Sequence, residues 1–145
     1  MRAAGTDEPG SNTAAVAAAD GLAAPRQKPL VLVVEDDFLL RGLIAEFLAD
    51  NGYDVESAAD GLEALMRLDS TFRRPSVILV DVTMPRMDGI EFLEHQKALP
   101  ALANIPVIAM TGSNSQRSSF IGLGFRDVFF KPLDMSKLLQ FIREL

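Results

Sequence analysis

From Leu30 onward, short apolar runs alternate with segments whose apolar residues recur at helical spacing, and this alternation restricts the fold more than any other feature. Leu30-Val31-Leu32-Val33-Val34 is the first run, after which Leu40, Leu43, Ile44, Phe47 and Leu48 fall on one helical stripe that Gly52 ends. Tyr53 to Ser57 alternates polar and apolar residues as an edge strand does. Asp60 with Glu63 forms a capping-box pattern for a second helix, with Leu62, Leu65 and Met66 expected to face the core. Val77 to Val80, Ile105 to Met110 and Val128 to Phe130 supply three further strands. The helices after them are expected to start at Asp88 (with Glu91), Ser113 and Asp134, the last carrying Leu138, Phe141, Ile142 and Leu145. Parallel strands need crossover connections, and those are right-handed, so the order predicts an α/β fold: a mostly parallel, doubly wound sheet with helices on both faces.

The rest of the chain narrows the function by exclusion. Its 145 residues, 48% of them hydrophobic, suffice for one packed domain and a tail. Residues 1–28 are rich in Ala, Gly, Pro, Ser and Asn, with Val16 and Leu22 as their only large apolar side chains after Met1. Such a composition cannot offset its ordering entropy, so a disordered tail with at most a transient alanine helix is expected there, followed by a folded domain over 29–145. The net charge of −6 belongs to that domain, because residues 1–28 balance Arg2, Arg26 and Lys28 against Asp7, Glu8 and Asp20. An acidic domain without a basic stripe repels polyanions, so autonomous nucleic-acid binding is not expected. Cysteine is absent, which removes disulfides, thiolate metal sites and cysteine nucleophiles. No membrane-length apolar run or signal peptide is evident, and a cytoplasmic protein is expected.

In a parallel sheet every strand-to-helix loop emerges on one edge, where open α/β sheets bind ligands. The first strand delivers Glu35-Asp36-Asp37 to that edge, the third Asp81, the fourth Thr111-Gly112-Ser113 and the fifth Lys131-Pro132. Asp81 ends an apolar run abruptly, and a dehydrated carboxylate costs free energy unless a partner, an ion or a reaction employs it. Singly, each residue reads as a turn former, a cap or a solvated charge. Jointly they are carboxylates for a hard cation, a carboxylate nucleophile, a hydroxyl and an ammonium, the components of in-line phosphoryl transfer. Mg²⁺ takes one or two protein carboxylates plus water and phosphate oxygens, a requirement that Asp36 and Asp81 meet. Lys131 and the Thr111 hydroxyl would hold the equatorial oxygens, and the product would be an acyl phosphate on Asp81.

Four ordered motifs carry a resemblance: Val33-Val34-Glu35-Asp36-Asp37, Asp81-Val82-Thr83-Met84-Pro85-Arg86-Met87-Asp88-Gly89, Met110-Thr111-Gly112 and Phe130-Lys131-Pro132. From about Pro29 to Leu145 the chain resembles the receiver domains of two-component response regulators, the single-domain chemotaxis type in particular. The resemblance implies a flavodoxin-like (βα)5 sheet of strand order 2-1-3-4-5. It implies that Asp81 accepts a phosphoryl group from a histidine kinase or histidine phosphotransfer protein. It further implies that Asp36 and Asp81 bind Mg²⁺, that Glu35 joins the coordination largely through water, and that the Thr83 backbone carbonyl completes the protein's share. Asp36 takes the metal position because Arg41 follows it at the family's spacing, leaving Asp37 to open the first helix. Lys131 is then the phosphate-sensing lysine, joined to Pro132 by the cis peptide common in the family, and Thr111 is the hydroxyl that moves toward the phosphoryl group. A downstream protein would read the change on the face of the fourth helix, fifth strand and fifth helix. One departure stands out: the family's usual aromatic residue three positions before the lysine is Val128, with Phe129 and Phe130 on shifted positions.

Three other functions compete with a phosphorylatable receiver that lacks a DNA-binding output domain and is not an enzyme toward other substrates. A phosphatase or phosphotransferase working through an aspartyl phosphate often has a second aspartate two residues after the nucleophile, where this chain has Thr83. A receiver-like interaction module that signals without phosphorylation would not need the full set of Asp36, Asp81, Thr111 and Lys131. A receiver excised from a hybrid kinase would make residues 1–28 a former linker. His95, the only histidine, is expected on a solvated helix face beside Glu94 and Lys97. Met84 and Met87 are expected to pack, and Phe38 and Leu39 to border the site.

Overall fold

Runs with no polar face fold as strands covered on both sides, and each is followed by a helix that supplies the cover. A computed structural model of the chain describes residues 17–19, 21–22, 27–70, 73–112 and 116–145. In chain order the main elements are β1 (Leu30–Val34), α1 (Phe38–Asp50), β2 (Asp54–Ala58), α2 (Gly61–Ser70), β3 (Val77–Asp81), α3 (Gly89–Lys97), β4 (Val107–Thr111), α4 (Arg117–Leu123), β5 (Asp127–Phe130) and α5 (Met135–Arg143). All neighbouring strands pair in parallel, in the order β2-β1-β3-β4-β5. This is the flavodoxin-like sheet that the motifs imply. Within the amino-terminal segment, Ala17–Ala19 pairs antiparallel with Gly21–Leu22, so these alanines are extended rather than helical. The expectation of a tail otherwise falls on residues 1–16, 20 and 23–26, outside the described residues. Among the described residues no helix is long and apolar enough to cross a membrane.

Alternate strand residues separate two cores. Leu32, Val34, Ile78 and Val80 pack with Ala64, Phe92, Phe120 and Val128 beneath α2, α3 and α4. Val31, Val33, Leu79 and Ile108 pack with Ile44, Leu48, Leu138 and Ile142 beneath α1 and α5. Each fully buried aliphatic side chain contributes about 1.5–3 kcal/mol, so the two cores jointly fix which way every strand end points.

Helix faces depart from expectation in places. On α2 the buried residues are Gly61, Ala64 and Leu68, with Leu65 half-buried, whereas Leu62 is 39% and Met66 63% exposed. The start of α2 lies hard against Met87, where only a glycine fits: a Cβ on Gly61 would lie 2.8 Å from the Met87 carbonyl oxygen. On α1 Ile44 and Leu48 are buried while Leu43 is exposed. Leu145 is also exposed, and Leu139 takes the place expected for it in the core of α5. Helix α4 begins after Gln116, which makes no side-chain cap bond, and Ser113 falls outside the described residues. His95 is exposed, Met84 is buried and Met87 half-buried, as the sequence suggests.

Candidate functional site

β1 and β3 lie side by side although α1, β2 and α2 intervene in sequence, and their carboxyl ends open the crevice at which such sheets bind ligands. The ends deliver Glu35, Asp36 and Asp81, each of which places one carboxylate oxygen within 4.8 Å of those of the other two. Glu35 and Asp81 are buried, Asp36 exposed. Three like charges in so small a space repel, and one ammonium answers them. Lys131, just past β5, places Nζ 3.0 Å from Asp81 Oδ2 and 2.9 Å from Glu35 Oε1. The lysine thereby reaches across β4 to both β3 and β1.

Local backbone geometry orients each carboxylate. The Thr83 amide donates to Asp81 Oδ1 at 3.1 Å, and the Asp37 amide donates to Glu35 Oε2 at 3.1 Å. Asp37 points the other way, capping α1 by accepting from the Leu39 and Leu40 amides. Arg41, one turn into α1, donates to the Glu35 carbonyl at 2.7 Å and lies over the Phe38 ring. Gly89 opens α3 directly against the end of β3, where a Cβ would sit 2.5 Å from the Asp81 carbonyl oxygen. Thr111 is buried at the end of β4, register partner of Phe130, and its carbonyl accepts from the Lys131 amide at 2.8 Å. The Lys131–Pro132 peptide is cis.

Burial dominates the Glu35 carboxyl and pushes it up to about 7, because the Lys131 ammonium and the Asp37 amide only partly offset the desolvation and the Asp81 carboxylate adds to it. For Lys131 burial works toward a lower value, yet the Glu35 and Asp81 carboxylates outweigh it and hold the ammonium above its ordinary range. The opposite net outcomes follow from exposure: Glu35 is buried outright, whereas Lys131 keeps contact with solvent. An all-oxygen cluster with one exposed member suits a hard divalent cation, which keeps part of its water shell.

A model of the response regulator receiver domain matches residues 31–143. The chain belongs to the response regulator receiver family. Curated relatives of this receiver include the transcriptional regulatory protein CpxR homolog of Haemophilus influenzae, 36% identical over 78% of the chain and 48% of that protein. The response regulator MprA of Mycobacterium avium is 36% identical over 79% of the chain and 50% of that protein. The chain spans about half the length of these relatives. Among solved structures, the chemotaxis response regulator CheY4 of Vibrio cholerae is 31% identical, with a TM-score of 0.74 over 81% of this chain and 98% of that one. A receiver protein from Pseudomonas putida is 26% identical, with a TM-score of 0.76 over 83% of this chain and 100% of that one.

The receiver fold thus brings together Glu35, Asp36, Asp81 and Lys131, with Thr83 bonded to Asp81 through its amide and Thr111 buried on the adjoining strand. Beside them, Leu39, Leu40, Leu43, Pro132, Leu133 and Met135 line a groove of about 480 Å³ that Lys131 and Asp37 also border. Phe38, next to Leu39 at the start of α1, is 75% exposed and Leu39 73%. A pocket of about 500 Å³ at the opposite edge of the sheet, around Tyr53, Pro106 and Arg126, is remote from these residues. One pair escaped the sequence: Arg86 binds Asp60, 26 residues away, and no spacing rule links a loop residue to a helix cap at that distance.

Proposed function

We propose that Asp81 is the phosphoacceptor of a Mg²⁺-dependent phospho-switch, charged by a histidine kinase or histidine phosphotransfer protein. The observation that carries this reading is the Lys131 ammonium held between Asp81 and Glu35, 3.0 and 2.9 Å away, where three carboxylates converge. An Asp81 oxygen attacks phosphorus in line. The new O–P bond forms as the P–N bond of the phosphohistidine breaks, and the electron pair returns to the imidazole. Bound through Glu35, Asp36, Asp81 and the Thr83 carbonyl, Mg²⁺ would neutralise the repulsion between nucleophile and phosphoryl oxygens. Lys131 is already within bonding distance of the nucleophile and follows the negative charge onto the phosphoryl group. Thr111 stands at the end of the neighbouring strand, where its hydroxyl supplies a further donor.

In this reading the domain comprises residues 29–145, preceded by the lead of 1–28, and works in the cytoplasm. The donor docks where Phe38, Leu39 and Leu43 stand exposed beside the acidic cluster. The change is read on the α4, β5 and α5 face. Val128 is fully buried in the core that also holds Phe120 and Phe125, and Phe129 packs edge-on against Phe141 of α5, so a large aromatic swing at position 128 is not part of this switch.

The test is intact-protein mass after mixing with acetyl phosphate, with and without Mg²⁺, for the parent and Asp81→Ala. One added phosphoryl group that needs both Mg²⁺ and Asp81 is the expected result. No gain in mass from acetyl phosphate or from a phosphohistidine donor would overturn the proposal and favour a module that signals unmodified.

A further inference from the structure

The segment after Asp81 holds a feature that phosphoryl transfer leaves unused. Arg86 adopts φ 65°, a left-handed conformation that costs a residue with a Cβ roughly 1–2 kcal/mol. In that conformation its guanidinium reaches the start of α2, with Nε 2.7 Å and Nη2 2.6 Å from one oxygen, Oδ2, of Asp60. The Asp60 side chain is buried, and its second oxygen accepts the Glu63 amide at 2.9 Å. Burial alone would raise the Asp60 carboxyl, but the Glu63 amide and the Arg86 guanidinium outweigh it and hold the group below its usual range. The pair is therefore charged at neutral pH.

A second tie lies one residue along. The Gly61 amide donates to the Met87 carbonyl at 3.1 Å, and the same approach excludes any side chain at Gly61. At the other end of the segment the Gly89 amide donates to the Val82 carbonyl at 3.0 Å. Between these anchors lies Thr83, whose amide fixes Asp81 Oδ1. Only the Arg86 side of the pair stands in solvent, with Asp60 buried, so removing the arginine alone would strand a buried carboxylate; the strain at Arg86 is matched by the geometry that the pair imposes on the segment.

We propose that Asp60 and Arg86 are positioning residues: their ion pair latches segment 82–88 to the start of α2, holds Thr83 in place beside Asp81, and so sets the Mg²⁺ affinity of the acidic cluster. This rests on the reading of that cluster as a Mg²⁺ site. The latch touches neither the cation nor the phosphoryl group, and acts through the backbone alone.

An amide NMR titration with MgCl₂, read at Thr83, tests it in the parent, Arg86→Asn, Asp60→Asn, the double variant and Arg86→Lys. Asparagine tolerates the left-handed conformation at 86, and at 60 it keeps an oxygen for the Glu63 amide, so both replacements remove the ion pair and little else. Each single variant and the double are expected to bind Mg²⁺ about tenfold more weakly, with equal rather than additive losses, and Arg86→Lys to recover most of the affinity. Urea midpoints measured on the same samples separate a merely structural role. Parent-like Mg²⁺ affinity in both single variants, with or without lowered urea midpoints, overturns the latch alone, as do losses that add. A parent that binds no Mg²⁺ overturns the reading of the cluster and the latch with it.

Discussion

Glu35 is the residue whose chemistry is most altered by its place in the fold. Buried at the end of β1, its carboxyl is pushed up to about 7, so at mildly acidic pH the folded protein holds a proton there that the unfolded chain has released. The sign follows from linkage: between 4.5 and about 7 the native state binds more protons, so stability falls as pH rises through that window. Urea unfolding without Mg²⁺ should show this slope, and Glu35→Gln should flatten it. A cation at the cluster competes with the same proton. Mg²⁺ affinity should therefore rise with pH up to about 7 and level off above it, with a proton released on binding at pH 6 and little at pH 8. An affinity independent of pH across this range would remove Glu35 from the coordination.

At the scale of elements, the start of α1 separates two neighbouring aspartates by function. Asp37 accepts the Leu39 and Leu40 amides, while Asp36 lies in the carboxylate cluster. Asp37→Ala should cost about 1 kcal/mol of stability and leave Mg²⁺ affinity near the parent's. Asp36→Ala should do the reverse, and a paired urea and Mg²⁺ titration distinguishes them. The strands and their order of appearance were legible because two-sided burial demands unbroken apolar runs, and the site followed because parallel strands send their ends to one edge. The face of α2 was not legible: Leu62 and Met66 outrank Gly61 in hydrophobicity, but the close approach of Met87 to the start of the helix leaves no room for a side chain at 61. Nor was the Asp60–Arg86 pair, which joins two loops that only the finished sheet brings together.

For the whole molecule, the sheet order is what makes a site out of separate strands. β1, β3 and β5 meet at one edge through Lys131, and the cation is expected to draw the first two closer in effect. Mg²⁺ at ten times its dissociation constant should stabilise the parent by about 1.4 kcal/mol, read as a rise in the urea midpoint, and should leave the midpoint of Asp36→Ala unmoved. The same edge has an electrical consequence. Once a cation has displaced the Glu35 proton, three carboxylates beside one ammonium carry an excess of two negative charges. A dication cancels that excess, and a dianionic phosphoryl group in place of one carboxylate charge returns only a single unit. Beyond a Debye length of about 8 Å, the marked and unmarked proteins then present nearly the same field. A partner cannot sense the mark from a distance; it has to touch the surface and read its shape.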